Sequence, residues 1–112
     1  MTDPNSGSSR MNADTLRAAI TTNTAITDPT LRTAIAARAA GGPPTDQPYD
    51  HLAHQIATAS HRVTDTDINT VRDAIGSDKA TFEIIMSACI GAGLARWDAA
   101  TRAIHEATNA TT

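Results

Sequence analysis

The sequence is poor in cysteine, in aromatic residues and in large aliphatic side chains. Its 112 residues include one cysteine, Cys89, and one each of Phe, Tyr and Trp; Leu, Ile, Val and Phe together number 17, against 22 Ala. A single thiol excludes an internal disulfide and two-cysteine redox chemistry within one subunit, which agrees with a reducing, cytoplasmic location. Three aromatic residues are too few for a surface that stacks bases or flavins. We therefore expect a folded domain with a thin core.

Clustered positive charge and long apolar runs are also absent. The nine basic residues are spread singly along a chain of net charge −3, so we expect no nucleic-acid partner. The longest uncharged stretch, between Glu83 and Arg96, has twelve residues, whereas a membrane span needs about 20 apolar residues. The polar first twelve residues do not resemble a secretory leader. We expect no membrane association.

Apolar residues recur at helical spacing throughout the chain, and no alternating strand pattern is present. The pattern predicts an all-α fold, a small bundle of about five helices that ends in a long Ala/Gly-rich helix. Residues 12–108 form the single predicted domain. A Ser/Gly-rich segment, 1–11, is expected to be a disordered tail, and 41–48 a Gly/Pro linker.

Three helix boundaries have clear sequence signals. Asp28 precedes Pro29, a capping carboxylate followed by proline at the first helical position. Thr64 is placed to accept from the backbone N–H near Asp67, which predicts a capped helix start. Gly76 ends that helix. These signals predict helices that begin near residues 29 and 65, with the last helix following at once.

The last helix is expected to run from about Lys79 to about Thr108, capped by Ser77 and Asp78. Gly91 and Gly93 lie inside it, and each costs about 1 kcal/mol relative to Ala in a helix. Since the surrounding positions are also small, we expect another backbone to approach closely at these glycines; a bend of the helix is the alternative.

Two blocks of the sequence carry a family resemblance: VTDTDINTVR at 63–72 and FEIIMSACIGAGLARWDAA at 82–100. With the segment TDPTLR at 27–32, they resemble the helical core of the alkylhydroperoxidase D-like and carboxymuconolactone decarboxylase-like superfamily. The likeness covers about 45 residues, from His61 to Ile104. It implies an alkylhydroperoxidase D-like core and a tendency to form helical oligomers.

The chain departs from the redox members of that superfamily, which use a Cys-x-x-Cys pair with a nearby Glu and His. In those proteins one thiolate attacks the peroxide and the second resolves the sulfenate. The pair would lie before Thr64, and residues 45–62 contain no cysteine. The resemblance therefore implies a divergent, non-redox member.

His51, His54 and His61 fall on neighbouring positions of the third helix and its end. Their spacing leaves open a shared metal ion, assisted by Asp46 or Asp50, although metal sites usually need three or four converging ligands. Solvated side chains on a polar helix flank are the other interpretation. The resemblance adds an acid/base role for His54 or His61, because cysteine-free decarboxylase relatives exist. We assign no metal or cofactor from this pattern.

Glu83 is followed by Ile84, Ile85 and Met86, so its carboxylate is expected to be partly buried. Such a group needs a cationic partner. We expect an ion pair between helices, with Arg62, Arg72 or Arg96 as the candidates, and keep a catalytic carboxylate as the alternative.

Three further residues of the last helix are expected to have structural roles. Cys89 is predicted to be a small core residue, since buried thiols in apolar surroundings are unreactive. Phe82 and Trp97 are predicted to anchor the core or an interface.

The sparse core predicts association with another chain. Helices lined with Ala and Gly can pack closely against a second copy, so we expect a homo-oligomer built on the last helix. The function we predict is a non-redox accessory or assembly subunit that acts through oligomerisation or binding of a protein partner. The alternative is a cysteine-independent enzyme of the decarboxylase-related type that uses His54 or His61 and Glu83.

Overall fold

The computed structural model describes residues 4–110, with side chains from Asn12 onward. Over this range the chain forms five α-helices: α1 (Pro4–Thr21), α2 (Pro29–Ala39), α3 (Tyr49–Ala59), α4 (Asp65–Ile75) and α5 (Asp78–Ala110). A single 3-10 turn (Ser60–Arg62) follows α3, and the described residues contain no strand. The predicted all-α class and the long C-terminal helix are confirmed.

Helix α1 begins at Pro4, eight residues before the start predicted at residue 12. Proline is favoured at the first helical position, and residues 5–11 contain no second proline that would interrupt the helical hydrogen bonds. Helical backbone therefore covers residues 4–11 of the expected disordered tail. The rest of that tail, 1–3, lies outside the described residues.

The three helix boundaries with clear sequence signals match the observed ones. The Asp28 carboxylate accepts from the Thr30 N–H at 2.9 Å, and Pro29 is the first residue of α2. At α4, Thr64 and Asp67 form a reciprocal capping box. Gly76 ends α4 in the left-handed conformation, with φ of 97°. Local capping chemistry fixes these ends.

Helix α3 begins at Tyr49, directly after the predicted 41–48 linker, and that segment is held by its own hydrogen bonds. The buried Asp50 carboxylate accepts from the Thr45 N–H at 3.0 Å and from Arg38 Nε at 2.8 Å. The Thr45 N–H and the Arg38 guanidinium lower the pKa of Asp50 below its ordinary value, against the effect of burial. The Gly/Pro segment is thus tied to α2 and α3.

The core lies where α2, α3 and α4 pack on one side of α5. Its largest fully buried side chains are Ile35 on α2, Leu52 on α3, Val71 on α4 and Ile84 on α5. The remaining buried apolar residues around them are mainly alanines. Small side chains let the helices approach closely, so the core is narrow but well filled.

Gly91 marks the closest approach between α2 and α5. A Cβ added at Gly91 would stand 2.1 Å from the Ala36 carbonyl oxygen, so the close backbone contact expected there is confirmed. Gly93 differs: a Cβ there would meet nothing within 4 Å. The expectation of a close approach at Gly93 is wrong within this chain, because Gly93 lies on the side of α5 that faces away from α2.

The length of α5 sets the long dimension of the molecule. Its 33 residues span about 50 Å at 1.5 Å per residue, and the molecule measures 54 × 29 × 22 Å. All residues from 96 to 110 are exposed. Among the described helices, none combines the length and hydropathy that a membrane crossing requires.

The two glycines of α5 should respond oppositely to alanine. Gly91→Ala forces a methyl group into the α2 backbone, and we expect it to destabilise the fold by about 1–3 kcal/mol, as overpacking of a core does. Gly93→Ala, the matched control, should stabilise the isolated chain by up to about 1 kcal/mol through helix propensity. Thermal unfolding followed by circular dichroism at low protein concentration measures both. Equal effects of the two substitutions would contradict the assignment of Gly91 to the inner face.

Candidate functional site

The three histidines of the α3 region are exposed. His51 Nε2 lies 3.4 Å from Asp67 Oδ1, and His54 lies near enough to Asp50 to contribute to the lowered pKa of that carboxyl. His54 and His61 are exposed on α3 and on the 3-10 turn. Within the described residues, no group of three or more His, Cys, Asp or Glu side chains is arranged to hold a metal ion. The surface pockets beside α1 and around Gly76 are lined by residues other than His54, His61 and Glu83.

Glu83 binds the loop between α1 and α2. Its Oε1 accepts from the Thr27 N–H at 2.8 Å and from the Thr27 hydroxyl at 2.6 Å, while Oε2 accepts from the Ile26 N–H at 3.0 Å. The predicted ion pair with Arg62, Arg72 or Arg96 is therefore wrong. A Thr-rich loop outside helical geometry presents unpaired N–H groups, and a carboxylate satisfies two of them at once.

Arg32 completes the same network from the opposite side. This residue of α2 is 2% exposed, and its Nε donates to the Ile20 carbonyl at 2.9 Å. Its terminal nitrogens donate to the carbonyls of Thr22 and Thr27, and to the Thr27 hydroxyl at 3.0 Å. The Thr27 hydroxyl thus accepts from Arg32 and donates to Glu83. We call Arg32, Thr27 and Glu83 the loop network.

The loop network controls the ionisation of Glu83. Burial raises the pKa of Glu83, but hydrogen bonds from Thr27 and Ile26 and the positive charge of Arg32 outweigh it and lower the pKa to about 2, from an ordinary value of 4.5. A carboxylate that stays ionised and is fully hydrogen-bonded serves as a structural anchor. Sequence reasoning missed Arg32, although it lies on the buried stripe of α2, three residues before Ile35.

A second feature of the fold is an apolar face of α5 that points away from the core. It comprises seven positions at helical spacing, which we call the outer face of α5: Phe82, Met86, Cys89, Gly93, Trp97, Ala100 and Ile104. At 100° per residue these positions fall within an arc of about 80°. The buried residues of α5, such as Ile84, Ala88 and Gly91, lie on the opposite side.

The large side chains of the outer face are open to solvent. Phe82 is 62% exposed, Met86 39%, Trp97 43% and Ile104 68%. Of the two roles predicted for Phe82 and Trp97, core or interface, their exposure leaves the interface, which stays a prediction. Cys89 is exposed as well, so its assignment to the core is wrong. The physical reason is the close contact with α2 at Gly91, which admits only small residues at that level.

Helix α1 flanks the outer face and forms a groove with it. Arg17 on α1 donates to Asp98 on α5 at 2.9 Å, which holds the two helices side by side. The groove between them has a volume of about 470 Å³ and a mainly apolar lining, which is Asn12, Ala13, Leu16, Cys89, Ile90, Gly93, Leu94 and Trp97. Leu16 is itself 43% exposed. An exposed apolar helix face bordered by an apolar groove can bind another helix.

Comparison with protein-family models, with curated proteins and with solved structures finds no match for this chain. The alkylhydroperoxidase D-like resemblance therefore stays a prediction. The function has to be argued from the loop network and the outer face alone.

Glu83→Gln should weaken the fold at neutral pH. The neutral amide loses the charge-assisted hydrogen bonds from Thr27 and Ile26, and hydrogen bonds to charged groups contribute about 1.5–3 kcal/mol each. The NH₂ group of the amide is itself a donor, and it would face the N–H and O–H donors of the loop. We expect a loss of about that size in the free energy of unfolding at pH 7, measured by urea denaturation. Glu106→Gln, at an exposed position of the same helix, is the control and should change little.

The same pair of variants tests the pH dependence. Because the folded-state pKa of Glu83 is about 2, below its ordinary 4.5, its stabilising contribution is complete above pH 4.5 and is lost as the pH falls toward 2. Wild type should lose more stability than Glu83→Gln over this range. Parallel pH profiles for the two proteins would contradict the anchoring role of Glu83.

Proposed function

We propose that this chain is a non-redox assembly subunit that works by self-association through the outer face of α5. The observation that carries the proposal is the apolar surface from Phe82 to Ile104, whose large side chains are 39–68% exposed in the single chain. Monomeric soluble proteins rarely expose contiguous large apolar side chains, and such patches mark interaction surfaces. The occupant we propose is a second copy of this chain.

The C-terminal part of α5 supports this proposal. Residues 96–110 are all exposed, so this half of the helix has little packing within its own chain. Helical stability in proteins comes mainly from tertiary packing of an apolar face, since isolated short helices are marginal in water. Packing of Trp97 and Ile104 against a second copy would give this part of α5 the tertiary contacts that its own chain does not provide.

The thin core points the same way. The largest fully buried side chains are four aliphatic residues, while both Phe82 and Trp97 remain outside. A domain of this size gains limited stability from its own core. Covering the outer face would bury the large apolar surface that the fold leaves in solvent.

The geometry favours this role over the enzymatic alternative. That alternative needs His54 or His61 to act with Glu83 on an acidic substrate. Both histidines are exposed, and the carboxylate of Glu83 is occupied by Thr27 and Ile26. No specific observation supports a reaction, so we propose the assembly role alone.

Self-association is tested by the mass of the protein in solution. Light scattering behind size-exclusion chromatography should give twice the mass of one chain at micromolar concentration. Ile104→Glu should weaken association at least tenfold, because it places an unpaired charge in the interface. His105→Glu adds negative charge at the neighbouring position, off the outer face, and is the matched control. A stable monomer for the wild type would overturn the proposal.

Cys89 provides a probe that requires no mutation. The thiol is exposed in the single chain and lies at the centre of the outer face. Its alkylation by a maleimide should be fast at nanomolar protein concentration and at least tenfold slower at concentrations where the dimer forms. The Ile104→Glu variant should stay fast throughout. Equal rates at all concentrations in the wild type would place the contact on another surface.

A further inference from the structure

We infer that the two copies pair their α5 helices antiparallel, with the two-fold axis passing beside Gly93. This inference rests on the proposed self-association and specifies its register and symmetry. It is carried by two observations: the order of side-chain sizes along the outer face, and a glycine that the fold of the single chain does not need.

The outer face is symmetric in spacing about Gly93. Going outward in both directions, apolar positions occur four, seven and eleven residues away: Cys89 and Trp97, then Met86 and Ala100, then Phe82 and Ile104. A two-fold axis at Gly93 therefore places each of these residues against the other member of its pair on the second copy. Symmetric homodimers require such a self-complementary surface.

The side-chain sizes are also complementary in this register. Trp97 meets the small Cys89 of the other copy, and Met86 meets the small Ala100. At both ends Phe82 meets Ile104, and the two Gly93 residues meet at the centre. Large residues opposite small ones fill an interface evenly.

A parallel pairing in register gives a poorer fit. It would set Trp97 against Trp97 and Ala100 against Ala100 on neighbouring turns. The helices would be forced apart at one level and leave a void at the next. Both overpacking and voids are destabilising. The distribution of bulk along α5 thus favours the antiparallel arrangement.

Gly93 has no role inside the single chain. A Cβ at this position would meet nothing within 4 Å, yet glycine in a helix interior costs about 1 kcal/mol relative to Ala. Two helices that cross at a symmetry axis bring the same residue together from both sides, and the absence of Cβ allows the shortest approach there. The proposed interface thus explains why position 93 has glycine, which the fold of the single chain does not require.

Helix α1 and the charge distribution are compatible with this axis. Leu16 lines the groove next to Gly93 and Trp97, so the axis brings the Leu16 side chains of both copies to the same side of the paired helices. None of the seven positions of the outer face is charged. No ion would have to be desolvated to form the contact.

Disulfide cross-linking between two different variants tests the register. In a Cys89→Ser background, one chain carries Met86→Cys and the other carries Ala100→Cys. The antiparallel register places these two positions opposite each other, whereas two copies of position 86, or of position 100, lie about 21 Å apart along the helix axis. A disulfide requires Cα atoms within about 7 Å.

The expected result after mild oxidation is a covalent heterodimer, identified by its intact mass. It should form in the mixture at a yield at least tenfold above the covalent dimer of either variant alone. Wild-type Cys89 provides the control: its two copies lie about 12 Å apart along the axis in the antiparallel register and should not cross-link. In a parallel pair they would meet and cross-link.

The outcomes separate the register from the proposed function. Cross-linking of each variant with itself, or of wild-type Cys89, would show a parallel pair and overturn the antiparallel inference while self-association stands. A dimer by light scattering without the heterodimeric cross-link would place the contact elsewhere and overturn the inference. A protein that stays monomeric in every sample would overturn both proposals.

Discussion

The contact between the backbones of α2 and α5 at Gly91 determines the arrangement of the rest of the molecule. With the Ala36 carbonyl so close that a Cβ at Gly91 would stand 2.1 Å away, α5 can present only small or slender side chains to α2. Ala88 and Ala92 fill the inner face beside the contact. The aromatic residues of the same helix, Phe82 and Trp97, lie on the opposite side, while Ile84 enters the core about two turns before the contact.

A second consequence of the small core is that hydrogen bonds from charged side chains, rather than burial of apolar residues, stabilise the loop between α1 and α2. The loop between α1 and α2 is rich in Thr, and its peptide groups would be left unpaired by its departure from helical geometry. Arg32 satisfies its carbonyls and Glu83 satisfies its N–H groups, with the Thr27 hydroxyl between them. Charged groups form the stronger hydrogen bonds, so two side chains fix a loop in which only Thr27 is buried.

Local features could be predicted from the sequence, and partners distant along the chain could not. The Asp28 cap, the Thr64 capping box and the Gly76 terminus depend on residues within a few positions of one another, so their chemistry is readable directly. Glu83 was recognised as a carboxylate in need of partners, but its partners lie 56 and 57 residues away. Every residue except proline has a backbone N–H group, so the sequence does not show which of these groups will bind a carboxylate. Arginine side chains were therefore the natural candidates for the partner of Glu83. Arg32 was overlooked because a cation on a helix is ordinarily solvated.

The outer face shows why helical periodicity alone does not separate a core from an interface. Both faces of α5 repeat at helical spacing and both are apolar, so Cys89 was assigned to the core, and Phe82 and Trp97 could not be divided between core and interface. Size distinguishes the two faces near the Gly91 contact: the inner face is small there because a backbone lies against it, whereas the outer face carries the aromatic residues Phe82 and Trp97. The order of large and small residues on the outer face has no function toward solvent, where a side chain meets no neighbour to fit. A second copy of α5 turned end for end sets Trp97 against Cys89 and Met86 against Ala100, so the order fits a second copy. The close helix packing that keeps this core thin therefore also leaves large apolar residues on the outer face of α5, where they can pair with a second copy.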